Sequence, residues 1–237
     1  MIAITSISPT HINEGIQLKA VNSWIDLGLH VISMNCKKEC DLLEPLYPMV
    51  EFVETTRTME VTYGKPYVSI NAVLDFCKNQ KENHFCIINS DIEIKTDKEK
   101  IENIKNQMND SIILVNRVNY DTDYIGKQYK QGIDGFFINR KFLSIYPQTV
   151  FCFGICFWDY WIPYMALLSG INVYFIKNNI AYHKNHAVQY SKDSWLKAGR
   201  YFLWEHTLYQ FNPTQGIGEM SNFVYKYIYE NSKQIEI

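Results

Sequence analysis

Asn89, Asp91 and Glu93 alternate along His84-Phe85-Cys86-Ile87-Ile88-Asn89-Ser90-Asp91-Ile92-Glu93-Ile94, where an apolar strand runs into acids two residues apart. In an extended chain alternate side chains share a face, so the three are expected to point together and offer oxygen ligands to a divalent cation. Hard cations such as Mg2+ and Mn2+ take such ligands and often share them with a substrate phosphate. The plainer alternative is a polar strand end opening into a loop. A rival acidic motif, Asp121-Thr122-Asp123, lies in a polar, Tyr-rich segment and reads first as a turn that starts a loop.

The elements that must position these residues follow from periodicity. Residues 2–8 read as a buried strand bounded by Pro9, and 14–27 as an amphipathic helix ended by Gly28. Strands are expected at 29–34, 50–53, 85–89, 111–119, 133–139 and 172–176. Helices are expected at 68–79, with Ile70, Val73, Leu74 and Cys77 on one stripe, at 95–108, and as an aromatic-studded tail at 194–209. Strand–helix alternation predicts an α/β fold with a mostly parallel central sheet and helices on both faces, and ligands bind such sheets beyond the carboxyl ends of the strands. The acids around Asp91 sit at such an end.

The chain has 237 residues, 47% of them apolar and 20% charged, enough for one sizeable domain and unlike a disordered segment. A net charge of −2 gives no general attraction to nucleic acid or anionic membrane. No apolar run reaches the length of a membrane span, and the amino-terminal residues lack the pattern of a signal peptide, so a cytoplasmic location is expected. Six cysteines, Cys36, Cys40, Cys77, Cys86, Cys152 and Cys156, are then expected as buried thiols. The sharper alternative joins the two Cys pairs of four-residue spacing to His183 and His186 as a zinc site, though the His pair is one residue tighter than usual finger spacing.

Several features occur in order: the opening strand 2–9, Gly64-Lys65-Pro66 with Asn71, Asn89-Ser90-Asp91-Ile92-Glu93, Asp134-Gly135-Phe136-Phe137, Gly154-x3-Trp158-Asp159-Tyr160-Trp161, and a late His183. Together they resemble a GT-A-type, nucleotide-sugar-dependent glycosyltransferase over roughly residues 2–190. The resemblance implies one GT-A-like (Rossmann-like) domain, its nucleotide-binding part about 1–120 and its acceptor-binding part about 121–237. It also implies nucleotide contacts from Thr5, Ser6, Ser8, Lys65, Asn71, Asn89, Ser90 and Asp91. The implied ligands for Mn2+ or Mg2+ are Asp91, Glu93 and His183, with His186 as the alternate histidine.

The family's usual D-x-D is absent, and two registers stay open. If Asn89-Ser90-Asp91 is the equivalent, Asn89 stands where an acid often meets the ribose; if Asp91-Ile92-Glu93 is, Glu93 joins the metal or orients water beside it. Asp159 matches the position of the acid that deprotonates the acceptor in inverting members. Set among aromatic residues, it would have a raised pKa if desolvated; alternatively it caps a helix whose tryptophans are core. Trp158, Trp161 and Gly154 would bound the acceptor, since sugars offer C–H faces to aromatic rings.

The expected activity is therefore metal-dependent transfer of a hexose to a glycan hydroxyl, with inversion, from a UDP-sugar favoured on family frequency. Two alternatives stand beside it. One is nucleotide-sugar synthesis by a nucleotidyltransferase, which the absence of a Gly-rich basic loop after the first strand disfavours. The other is a binding module without chemistry.

Overall fold

The computed structural model describes residues 1–10, 15–186 and 190–237, with Lys130 described by its backbone alone. The elements run β1 (Ile2–Thr5), α1 (Ile16–Asp26), β2 (His30–Asn35), α2 (Lys37–Leu43), β3 (Glu51–Glu54), α3 (Glu60–Tyr63), α4 (Ile70–Lys78), β4 (His84–Ile88), β5 (Ile92–Ile94), α5 (Lys98–Gln107), β6 (Ser111–Tyr120), β7 (Gly126–Asn139), α6 (Trp158–Leu168), β8 (Asn172–Lys184), α7 (Lys192–Glu205), α8 (Ile217–Asn231) and β9 (Lys233–Ile235). The expected first helix began at Glu14, which lies outside the described residues.

Among the described residues, nine strands form one sheet in the order β3-β2-β1-β4-β7-β6-β8-β5, with β9 added against β8. The first half is parallel: β1 lies between β2 and β4, with Ile4 beside Ile32 on one side and Ile87 on the other. The sheet is mostly parallel, as expected, with β6 also parallel to β8 and β8 to β9, but the second half adds antiparallel pairs that were not expected. There β7 runs antiparallel to both β4 and β6, and β5 antiparallel to β8.

The departure has a local cause. The segment read as a polar loop is the tip of a β6–β7 hairpin, with Tyr120 opposite Gly126 and Val118 opposite Gln128. Asp123 and Tyr124 make the turn at φ 54° and 58°, the left-handed region that costs a side chain such as Tyr most. A Cβ on Gly126 would lie 2.0 Å from the Asn119 carbonyl oxygen, so the strands approach at a place only glycine fills. Asp121, the candidate in the rival acidic motif, lies exposed at this tip and accepts a hydrogen bond from Asn185 Nδ2 at 2.9 Å.

Alternation along the strands sends side chains to two cores. Ile2 and Ile4 pack with Ile70, Val73 and Leu74 of α4, Trp158 and Trp161 of α6, Phe202 of α7 and Val224 of α8. Ala3 faces the opposite layer, with Val21 and Trp24 of α1, Leu43 of α2, and Ile101 and Ile104 of α5. Helices therefore cover both faces, as the sequence predicts, and the α4 stripe of Ile70, Val73, Leu74 and Cys77 is wholly buried. The six cysteines are free thiols. Among the described residues, no helix is long and apolar enough to cross a membrane.

Candidate metal and ligand site

The chain does not stay extended after β4. It turns at residues 89–91, closed by Ile92 N–H donating to Asn89 O at 3.2 Å, and resumes as β5. The alternation rule lapses at such a turn, so Asn89, Asp91 and Glu93 take three directions. Asn89 Nδ2 donates to Asp134 Oδ1 at 2.9 Å. Glu93 is buried, and its two carboxylate oxygens accept from the Tyr120 and Tyr124 hydroxyls. This corrects the expectation of one shared face and gives the Glu93 carboxylate partners other than a cation.

Asp91 meets two histidines instead. The expected strand at 172–176 continues as β8 to Lys184, so His183 stands within the ladder, beside Ile92 of β5 and Asn119 of β6. His183 Nε2 lies 3.4 Å from Asp91 Oδ2, His186 Nε2 lies 3.1 Å from the same oxygen, and the two Nε2 atoms are 3.1 Å apart. A single ion bonded to all three at about 2.1 Å would set neighbouring donors roughly 3.0 Å apart at right angles and roughly 3.4 Å apart in a tetrahedron. The observed triangle matches that interval. Two imidazole nitrogens this close share either a proton or a cation. Burial works against charge on Asp91, but the hydrogen bonds and charge of His183 and His186 outweigh it and hold the carboxyl well below its usual range. The histidines thus gather around Asp91 and not around the cysteine pairs of the zinc alternative.

The triad opens on a cavity of about 780 Å³. One wall is the loop after β1, which contributes Ser6 and Ser8. Buried side chains fix that loop: Ser33 Oγ accepts from Ile7 N–H at 2.9 Å, and Asn35 Nδ2 donates to Ile7 O at 2.9 Å. Gln17 makes two 2.7 Å bonds with the Ser8 backbone, and its Oε1 also accepts from Ser90 Oγ at 2.6 Å. Lys65 lines the same space. Thr5 does not; it is fully buried one residue too early. Asn71 is also displaced from its expected role, because its side chain pins the 147–149 segment by donating to Pro147 O at 2.8 Å and accepting from Thr149 N–H at 2.7 Å.

Gly154, Trp158 and Asp159 also line the cavity. Gly154 has φ 82°, and a Cβ there would sit 2.8 Å from the Tyr67 ring. Asp159 is the second residue of α6, and its Oδ1 accepts from Phe157 N–H at 2.8 Å and Tyr160 N–H at 3.1 Å, so it satisfies first-turn backbone donors and lines the cavity at once. Burial, and then the nearby charge of Asp134, push its carboxyl up to about 7 against the pull of those backbone donors. Trp158 packs edge-on against Phe136 and Phe153 while lining the cavity. Trp161 belongs to the core, fully buried against Tyr146 and Phe151 and absent from the cavity lining.

Two cavity residues had no role assigned from sequence. Arg117 donates from Nη1 to Asp134 Oδ1 at 2.9 Å and from Nε to Asn119 Oδ1 at 2.8 Å. Burial lowers the pKa of its guanidinium, and the charges of Asp134 and Asp91 raise it by more. The available signal was a charged residue in each of two apolar strands, Val115-Asn116-Arg117-Val118 and Ile133-Asp134-Gly135-Phe136.

No protein-family model matches the chain, and no curated protein matches it. Among solved structures, S. aureus TarS superposes with a TM-score of 0.53 at 11% identity, over 86% of this chain and 39% of TarS. The chain thus spans about two fifths of that protein. HddC from Yersinia pseudotuberculosis complexed with GMP-PN gives a TM-score of 0.43 at 14% identity, over 84% of this chain and 98% of HddC. A putative glucose-1-phosphate thymidylyltransferase from Bacillus anthracis, in complex with a sucrose, gives 0.44 at 11% identity, over 78% and 87%. The likeness to TarS is one of fold: a mixed, Rossmann-like α/β sheet.

Proposed function

We propose that the chain is a metal-dependent glycosyltransferase that moves a hexose from a UDP-sugar to a glycan hydroxyl with inversion. The observation that carries this is the placement, around one cavity, of a triad spaced for a cation and the half-buried carboxylate of Asp159, whose surroundings push its pKa up to about 7. TarS, which shares the fold, is a glycosyltransferase, which supports the class and leaves donor and acceptor to chemistry.

In this reading Asp91, His183 and His186 hold the cation, which when bound supplies Lewis-acid stabilisation of the diphosphate leaving group. Two imidazoles and one carboxylate suit Mn2+ better than Mg2+. Ser6, Ser8 and Ser90 offer hydroxyl and backbone groups to the nucleoside from a loop already fixed by Gln17 and Asn35, and Lys65 offers a positive charge near the phosphates. Asp159 takes the proton of the acceptor hydroxyl as that oxygen attacks the anomeric carbon from the face opposite the diphosphate. Trp158 stacks along the acceptor. The nucleotide-binding part is then about 1–120 and the acceptor-binding part about 121–237.

Titration with UDP, GDP, CDP and ADP, each with and without Mn2+, tests the site. UDP binding that needs Mn2+ and is lost in Asp91→Asn is the expected result; no metal-dependent binding of any diphosphate overturns the reading. The second reading, nucleotidyl transfer, would use the same cation triad. It must also hold a triphosphate, which calls for several cationic contacts, whereas among the described residues the cavity offers Lys65 and an Arg117 already paired with Asp134. Release of pyrophosphate from UTP and a sugar 1-phosphate would establish that second activity.

A further inference from the structure

An aromatic ring holds a sugar only where it has a face to offer. Trp158 is 2% exposed, with Phe136 and Phe153 packed against it, so an acceptor resting on it needs a second ring with more open surface. Trp195 of α7 is half-buried and lines the same cavity. Its ring centroid lies 6.0 Å from that of Phe157, the residue whose N–H donates to Asp159 Oδ1. A second line of contacts runs from Asp159 to α8. Tyr160 N–H donates to the same Asp159 oxygen, the Tyr160 hydroxyl donates to Gln131 O at 3.1 Å, and Gln131 Nε2 donates to Asn222 Oδ1. That last bond occupies the amide oxygen of Asn222 and leaves Nδ2 as its donor group, on an exposed residue that lines the cavity.

We propose that Trp195 and Asn222 form a subsite for the acceptor's own sugar ring, and that the acceptor bound there is an uncharged saccharide. Trp195 lies against the C–H face of the ring, and Asn222 Nδ2 donates to an oxygen at its edge. A ring face paired with an amide suits a pyranose, which presents an apolar face and a polar rim. Charge disfavours a phosphorylated acceptor. Trp195, Gln131 and Asn222 carry none, Asp159 repels an anion whenever it is ionised, and the guanidinium of Arg117, which also lines the cavity, is paired with Asp134 at 2.9 Å. Gly218, one helical turn before Asn222, lines the cavity as well, and a Cβ there would meet nothing within 4 Å. A side chain at 218 therefore adds bulk beside Asn222 without displacing the core.

This subsite rests on the proposed place of Asp159 beside the acceptor, and binding measurements keep it distinguishable from the donor site. UDP binding with Mn2+ is measured first. The protein, with UDP and Mn2+ present, is then screened against an array of neutral oligosaccharides, with glycerol 3-phosphate and glucose 6-phosphate as the anionic arm. The tightest ligand is titrated calorimetrically. The expected result is that a neutral saccharide binds, that its affinity falls about tenfold in Trp195→Ala, and that Trp195→Phe, which keeps a ring face, retains most of it. Gly218→Leu, a change that favours the helix, should weaken the saccharide by a similar factor while UDP affinity stays within about twofold. Tighter binding of the phosphates, no binding of any neutral saccharide, or undiminished saccharide binding in Trp195→Ala overturns the subsite and leaves the donor site standing if UDP binds. If UDP fails to bind but a saccharide binds with this dependence on Trp195, the donor site fails and the subsite stands. Gly218→Leu removes no packed group, so the outcome does not depend on whether Trp195→Ala folds.

Discussion

The Trp24 indole N–H donates to the Ile92 carbonyl at 2.9 Å across 68 residues of sequence, both groups buried. This bond joins α1 to the first residue of β5, immediately after Asp91, so the helix that follows the opening strand also fixes where the metal-side turn ends. Trp24→Phe leaves that buried carbonyl without its donor while keeping an aromatic ring in the core. The expected cost is about 1–3 kcal/mol, read from denaturant unfolding as a lower midpoint with unchanged slope. A variant as stable as the parent would show that water replaces the indole.

If the three donors act as a triad, each histidine matters. His183→Ala and His186→Ala should each weaken Mn2+ binding by about tenfold or more, measured calorimetrically with far-ultraviolet dichroism unchanged. Unaltered affinity in His186→Ala would reduce the site to Asp91 and His183.

Glu93→Gln should do the reverse. Its two oxygens accept from Tyr120 and Tyr124, so the amide keeps one acceptor and leaves the other tyrosine hydroxyl facing an NH2, which should cost about 1–3 kcal/mol of stability. Mn2+ affinity should not change. A large loss of Mn2+ binding in a folded Glu93→Gln protein would restore Glu93 to the cation.

Asp159 carries a dependence on pH whose sign follows from burial. Its carboxyl moves from 3.8 up to about 7, so between those values the folded protein keeps a proton that the unfolded chain has released. Folding stability from this group is then full below pH 3.8 and declines as the pH rises toward 7. Asp159→Asn keeps an oxygen for the Phe157 and Tyr160 N–H groups and removes the buried charge. It should stabilise the fold at pH 8 relative to the parent by an amount on the order of a few kcal/mol, seen as a higher thermal midpoint, and the gain should vanish near pH 3.5, where both forms are neutral. Catalysis runs the other way, since the base works only when ionised. In the parent protein kcat/KM should climb with pH and level off above about 7, and Asp159→Asn should abolish turnover across the range.

Local patterns in the sequence were enough to read much of this architecture. Apolar runs marked β1, β2, β4 and β6, the stripe on α4 marked its buried face, and an acid among aromatics marked Asp159. Long-range pairing was not legible in the same way. Nothing local says that residues 126–132, glycine-bounded and mostly polar, fold back antiparallel on β6, because their pairing comes from main-chain bonds and one close approach at Gly126. Glu93 went astray because alternation was carried across a turn that resets it. Asp134 and Arg117 went unassigned because their pairing joins two strands and shows only as a lone charge in each. Helix α8 and strand β9 drew no prediction at all.

The hydrogen-bonded setting of His183 has a kinetic consequence. Its backbone lies in the β8 ladder, paired on one side with Asn119 and on the other with Ile92, and Asp91 precedes that same Ile92. The conformational entropy of bringing these two ligands together is therefore lost when the chain folds, not when an ion arrives. Metal loading should then proceed without nucleotide, giving an ordered sequence of addition in which the ion enters first and the sugar nucleotide second.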